Sequence, residues 1–131
     1  MIVDTSAVVA IALGEPGAEA LKEALVHSPN SRMSAPSYVE LCAVVHRQGR
    51  PEITRMVDRL LDAYGIHIEA FDAHQARIAA QAYRDYGRGS GHPAGLNPGD
   101  TFSYALALVA GEPLLFRGDD FTYTDIRSGG R

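Results

Sequence analysis

The chain has 131 residues, 46% of them hydrophobic and 21% charged, which allows one domain around a single core and excludes a largely disordered polypeptide. A formal charge of −4 argues against binding nucleic acid by bulk electrostatics, although carboxylates gathered round a divalent ion would enter that count while facing a cation. The lone cysteine, Cys42, excludes an internal disulfide and is expected as a buried, inert thiol in an apolar helix, while no apolar run reaches the ~18 residues of a membrane span.

Met1 leads straight into a strand-like segment without a basic leader, so the chain reads as soluble, unexported and cytoplasmic. After the strand Met1 to Asp4, Thr5 to Leu13 and Gly17 to Val26 are helical, separated by the break at Gly14-Glu15-Pro16. Ser31 to Ser34 offers a second strand, and a helix follows, taken from Ser37 to Gln48, with Pro36 in its first turn. Pro51 opens the next helix, whose Ile53, Met56, Val57, Leu60, Leu61 and Tyr64 recur at helical spacing until Gly65 stops it. That stripe is broad enough to serve either as core or as a surface for a partner helix or a second copy. Ile66 to Phe71 alternates as a strand, and Asp72 to Tyr86 is helical with Ala76, Ala79, Ala80 and Tyr83 on one face. A glycine-rich loop through Gly87, Gly89, Gly91 and Gly95 leads to a helix from Pro98 to Ala110 with Phe102, Ala105, Leu106 and Val109 inward, and Glu112 to Phe116 closes the sheet. Alternating strands and helical crossovers predict an α/β domain over residues 1–131, with a parallel sheet of four to five strands covered on both faces.

Asp4, Glu40, Asp100 and the pair Asp119-Asp120 all fall where an apolar run gives way to a turn or helix start. Each has an ordinary use: Asp4 as a helix cap, Ser37 with Glu40 as a capping box, Asp100 after Asn97 at a helix start, and Asp119-Asp120 after Gly118 as turn chemistry. In a parallel topology, however, they meet at one rim of the sheet. Carboxylates that crowded cannot all stay ionised without a cation, and oxygen ligands suit magnesium or manganese. Ser6, two residues past Asp4, is placed to orient a ligand carboxylate or to cap the helix.

The glycine loop lacks a preceding strand and the spacing of a dinucleotide fingerprint, so it is read either as a surface connection or as a carrier of Arg88 and His92 toward a polynucleotide backbone. Lys22 is the sole lysine among twelve basic residues. The arginines, Arg117 and Arg88 among them, are therefore the candidate phosphate contacts, with solvated helix faces as the alternative.

The segments Met1-Ile2-Val3-Asp4-Thr5-Ser6-Ala7, Tyr38-Val39-Glu40, Leu96 to Ala107 with Asn97-Pro98-Gly99-Asp100 within it, and Pro113 to Phe121 resemble the VapC toxins of the PIN-domain ribonuclease family. The resemblance spans nearly the whole chain, and its four short motifs stand in the family's order. It implies a PIN-like fold and a magnesium-dependent endoribonuclease, the toxin of a type II pair, dimeric and silenced by a VapB-type antitoxin. Asp4, Glu40 and Asp100 fall on the family's core acidic positions, with Asp4 and Asp100 holding the metal. Either Asp119 or Asp120 supplies the fourth carboxylate, Asp119 being preferred. The alternative is a PIN-like module that acts through protein contacts without catalysis.

Overall fold

Ile2 and Val3 form a strand of only two residues, yet they set the architecture because successive strand side chains point to opposite faces. The structure, a computed structural model, describes residues 1–130. Ile2 enters a core with Leu96, Tyr104, Leu106, Leu114 and Phe121, while Val3 enters another with Val8, Met33, Leu41, Val57 and Leu115. Leu114 and Leu115 divide between the two cores in the same way, as their register with Ile2 and Val3 requires.

In chain order the elements are β1 (Ile2–Val3), α1 (Thr5–Ala12), α2 (Ala18–Val26), β2 (Arg32–Ser34), α3 (Ala35–Arg47), α4 (Pro51–Ala63), β3 (His67–Glu69), α5 (Ala73–Tyr86), α6 (Pro98–Ala110), β4 (Leu114–Leu115) and a 3₁₀ turn (Asp120–Tyr123). The strands are all parallel in the order β3-β2-β1-β4, so the expected sheet has four strands and helices on both faces. Helices α1 to α4 cover the Val3 face and α6 covers the Ile2 face. No helix of the described residues is long and apolar enough to cross a membrane.

Several local expectations need correction. Helix α3 begins at Ala35 with Ser34 as its N-cap, two residues before the expected Ser37, and Pro36 stands in its first turn as expected. Ser37 therefore lies inside the helix, and the capping box with Glu40 does not form. Its buried positions are Ser37, Leu41 and Val45, a strict four-residue row that leaves Cys42 facing out and exposed. On α4 the row Ile53, Val57, Leu60 and Leu61 is core, whereas Met56 is 44% exposed. Helix α5 buries Gln75, Ala79 and Ala82, not the Ala76 and Tyr83 side. On α6 Val109 is exposed and Phe102 packs edge-on against Phe71, with ring centroids 5.2 Å apart.

The glycine loop is tied at its neck by a parallel bridge between Gly87 and Leu96. Ala94 and Leu96 are buried, and the Ser90 hydroxyl donates to the Gly87 carbonyl at 2.6 Å. The stretch is thus a small closed ring with its own packing.

Candidate active site

The rim at the carboxyl ends of the strands is built first from Asp4. Continuing the alternation of β1, Asp4 leans toward the α6 side, and its backbone leaves the strand at φ −81°, ψ 154° to cap α1. The side chain is 4% exposed. Its Oδ2 accepts the Ser6 amide at 3.0 Å and its Oδ1 accepts the Ser103 hydroxyl at 2.5 Å. Ser6 thus reaches the carboxylate through its backbone N–H. Its hydroxyl instead accepts the Arg117 amide at 3.0 Å, which ties the exit of β4 to α1.

Asp100 sits in the first turn of α6 as half of a full capping box. Asn97 Oδ1 accepts the Asp100 amide at 2.9 Å, and Asp100 Oδ2 accepts the Asn97 amide at 3.0 Å. Burial pushes the Asp100 carboxyl up to about 7, against the Asn97 amide, which pulls it down; the charges of Asp4, Asp120 and Glu40 push it further up. The cap and the crowded carboxylate are therefore one side chain. Asp120 opens the 3₁₀ turn, whose Phe121 is 2% exposed and packs on Phe116 with ring centroids 5.1 Å apart. The third charge acting on Asp100, beside those of Asp4 and Glu40, is thus that of Asp120 and not of the preferred Asp119, which enters the turn as its N-cap.

Glu40 reaches the rim from α3, and its carboxyl end folds against Gly99 so closely that a methyl group at Gly99 would overlap its Oε2. Desolvation raises the Glu40 pKa, the Asp4 charge adds to it, and Thr5 and Arg47 oppose both. Four acidic residues from four parts of the chain thus act on one another electrostatically. Among the described residues no three acidic, histidine or cysteine side chains close into a ready chelate. An all-oxygen set held this openly fits a hard ion that keeps part of its water shell. It does not fit zinc, which takes a closed set of nitrogen and sulfur ligands in structural sites.

The candidate phosphate contacts are placed less centrally. Arg117 pairs with Glu15 at 3.1 Å and donates to the Pro16 carbonyl at 3.3 Å, so its guanidinium is engaged in closing the α1–α2 turn. His92 lies edge-on to Tyr86 with centroids 4.8 Å apart, and its Nδ1 accepts the Ala94 amide at 3.1 Å. Both are structural ties of the loops they occupy, and Arg88 is exposed beside the neck of the glycine ring. Ser103 and Gly99 carry no site signal of their own in the sequence, and Ser37 reads there only as a capping residue for Glu40. The spacing of Asp100 and Ser103, three residues apart on one helix, was the available signal for Ser103.

The PIN domain family model matches residues 1–126. A VapC ribonuclease of Mycobacterium bovis and ribonuclease VapC42 of Mycobacterium tuberculosis are each 78% identical over 127 residues, covering 97% of both chains. A ribonuclease VapC of Mycolicibacterium smegmatis is 49% identical over 96% of this chain and 97% of its own. Among solved structures, Mycobacterium tuberculosis VapC20, a Sarcin-Ricin loop cleaving toxin, superposes with a TM-score of 0.73 at 16% identity over 95% of each chain. A toxin-antitoxin complex from Klebsiella pneumoniae gives 0.67 at 19% identity over 95% of this chain and 92% of that one; at such identities these two speak for the fold alone. With an acidic rim on a four-stranded parallel sheet and relatives this similar along their whole length, the chain belongs to the PIN domain family, in its VapC branch.

Proposed function

We propose that this chain is a magnesium- or manganese-dependent endoribonuclease and the toxin of a toxin-antitoxin pair. The carrying observation is the convergence of Asp4, Glu40, Asp100 and Asp120 on one rim, where the charges of the other three raise the Asp100 pKa. Relatives at 78% identity bear the name ribonuclease, which supports RNA as the substrate.

Asp4 and Asp100 are the residues that would hold the ion. When bound, magnesium would neutralise charge on the scissile phosphate and make a bound water easier to deprotonate. Glu40, with its pKa raised, is suited to accept a proton from that water, and Asp120 completes the negative set. The backbone cap at Asn97 keeps Asp100 turned to the rim, and Ser6 and Ser103 keep Asp4 there. RNA in single strands or loops suits an open rim, since its backbone is reachable without reading paired bases.

A VapB-type antitoxin and a second copy of the chain belong to the same proposal. The open hollow of about 280 Å³ among Ile11, Lys22, Met56, Leu60 and Tyr64 is apolar with basic edges, which suits an antitoxin helix carrying acidic flanks. For the homodimer we assign the groove of Phe71, Ala76, Ala80, Tyr83 and Phe102.

The decisive assay incubates labelled RNA with the protein in EDTA and then restores magnesium. Cleavage is expected only after restoration, and Asp4→Asn should remove it while leaving the thermal melt in EDTA intact. Undiminished cleavage in the chelator would sink the metal-dependent reading.

A further inference from the structure

Helix α6 carries two side chains toward the end of β1: Asp100, and Ser103 one turn later. The two serine and threonine hydroxyls of this helix behave differently. Thr101 turns back to its own helix and donates to the Pro98 carbonyl at 2.6 Å, the usual habit of a helical hydroxyl. Ser103 instead crosses 99 residues of sequence to reach Asp4 Oδ1 at 2.5 Å, and it is wholly buried there. Its oxygen also lies 3.2 Å from Ser37 Oγ, which is 1% exposed on α3.

Counting protons orders these contacts. A carboxylate only accepts and a serine has one O–H, so the Ser103 proton goes to Asp4. The contact between the hydroxyls must then be Ser37 donating to Ser103. Ser37 is itself held from below, since the Thr5 hydroxyl donates to its carbonyl at 2.8 Å. The result is a directed chain, Ser37 to Ser103 to Asp4, joining three elements in a buried setting where each link strengthens the next.

We infer that Ser103 is a positioning residue for Asp4, and that Ser37 acts through it. With Oδ1 held by Ser103 and Oδ2 by the Ser6 amide, the plane of the carboxylate is set before any ligand arrives. Alanine suits a helix at least as well as serine, so replacing either residue leaves the helix itself intact and removes only the hydroxyl's contacts. The inference rests on the metal-dependent reading above and concerns the tuning of its ligand.

The test is Mn²⁺ titration followed by electron paramagnetic resonance on the wild type, Ser103→Ala and Ser37→Ala, with melts in EDTA and RNA cleavage rates across Mn²⁺ concentrations. Ser103→Ala should weaken Mn²⁺ binding by about tenfold, in the range seen for groups that support a metal ligand. Its melting temperature in EDTA should fall by only a few degrees, as the loss of one buried hydrogen bond implies, with the fold kept. Ser37→Ala should shift the affinity in the same direction and by less. The cleavage rate of Ser103→Ala at saturating Mn²⁺ should approach the wild-type value, leaving the loss in the apparent ion affinity. An unchanged Mn²⁺ affinity in Ser103→Ala overturns the inference and leaves the metal-dependent reading standing. If Ser103→Ala does not fold, Ser37→Ala alone decides, and its unchanged affinity has the same meaning. A wild type that binds no Mn²⁺ overturns both.

Discussion

Asp100 and Glu112 flank the two ends of α6, and their surroundings move them in opposite directions. Glu112 lies beside the Met1 amino group at 2.6 Å and also meets Arg32, and these cations hold its carboxyl below the usual range. Asp100 has only carboxylates for charged neighbours and is pushed up to about 7. The stability consequence follows from proton counting. Below the unfolded value near 4 both states bind the proton equally; between about 4 and 7 the unfolded chain releases it while the native protein keeps it. Native stability contributed by Asp100 is therefore lost as pH rises through that window. Asp100→Asn, which still offers an acceptor to Asn97, should raise stability in EDTA at pH 8 by roughly 1–2 kcal/mol, since solvent reaching the carboxyl screens the full effect. At pH 4 the two proteins should melt together, and equal melts at both pH values would contradict this account. Gly99 makes a second case. It does not take a left-handed backbone conformation, so the need for glycine is the room taken by Glu40 Oε2. Gly99→Ala should raise or hold the melting temperature, as alanine favours a helix by up to ~1 kcal/mol over glycine. Displacing Glu40 should meanwhile cut RNA cleavage by about 100-fold or more, on the scale of a lost proton acceptor. Parallel melts and cleavage rates would show whether the two properties separate.

At the scale of elements, the helix ends were the most legible parts of this chain and the helix faces the least. Pro51, Gly65, Asp72 and Pro98 act through local backbone chemistry, and α4, α5 and α6 begin or stop where those residues stand. The inward faces of α5 and α6 depend instead on which neighbour each helix meets. Alanine-rich helices offer little contrast between sides, so Ala76 and Ala82 exchanged places and Val109 turned out to solvent. The grouping of Asp4 and Asp100 was legible because strand ends in a parallel sheet share a rim. The sequence left the choice between Asp119 and Asp120 open and preferred Asp119, and it is Asp120 whose charge acts on Asp100. Ser103 was not legible, since a serine among apolar residues shows its meaning only when the partner 99 positions away is in place. The Asn97 box shows how far one cap reaches: Asn97→Ala should cost about 1 kcal/mol of stability by leaving the Asp100 amide without its acceptor. It should also weaken Mn²⁺ binding, because Asp100 would no longer be held from its own helix. A variant that loses stability and keeps full ion affinity would separate the cap from the site.

Taken as a whole molecule, the sheet has two unlike ends. At the end where the strands begin, Glu112 is matched by Arg32 and the Met1 amino group, and Arg32 also meets Glu69 at 3.5 Å. At the other end, the charges of Asp4, Glu40 and Asp120 all act on Asp100, and the arginine at β4's exit, Arg117, is drawn off to Glu15. If the rim takes the proposed divalent ion, that asymmetry should make the folded protein respond to its ionic surroundings in a valence-selective way. On the proposed metal-dependent reading, each tenfold rise of free magnesium beyond the dissociation constant should add about 1.4 kcal/mol to the unfolding free energy, because the ion would bind the native rim and not the unfolded chain. Sodium chloride at matched ionic strength should give a much shallower rise, and calorimetric melts in the two salts would tell them apart. The acid-rich rim would then act as a gauge, its host growing firmer or softer as the free divalent ion around it rises or falls.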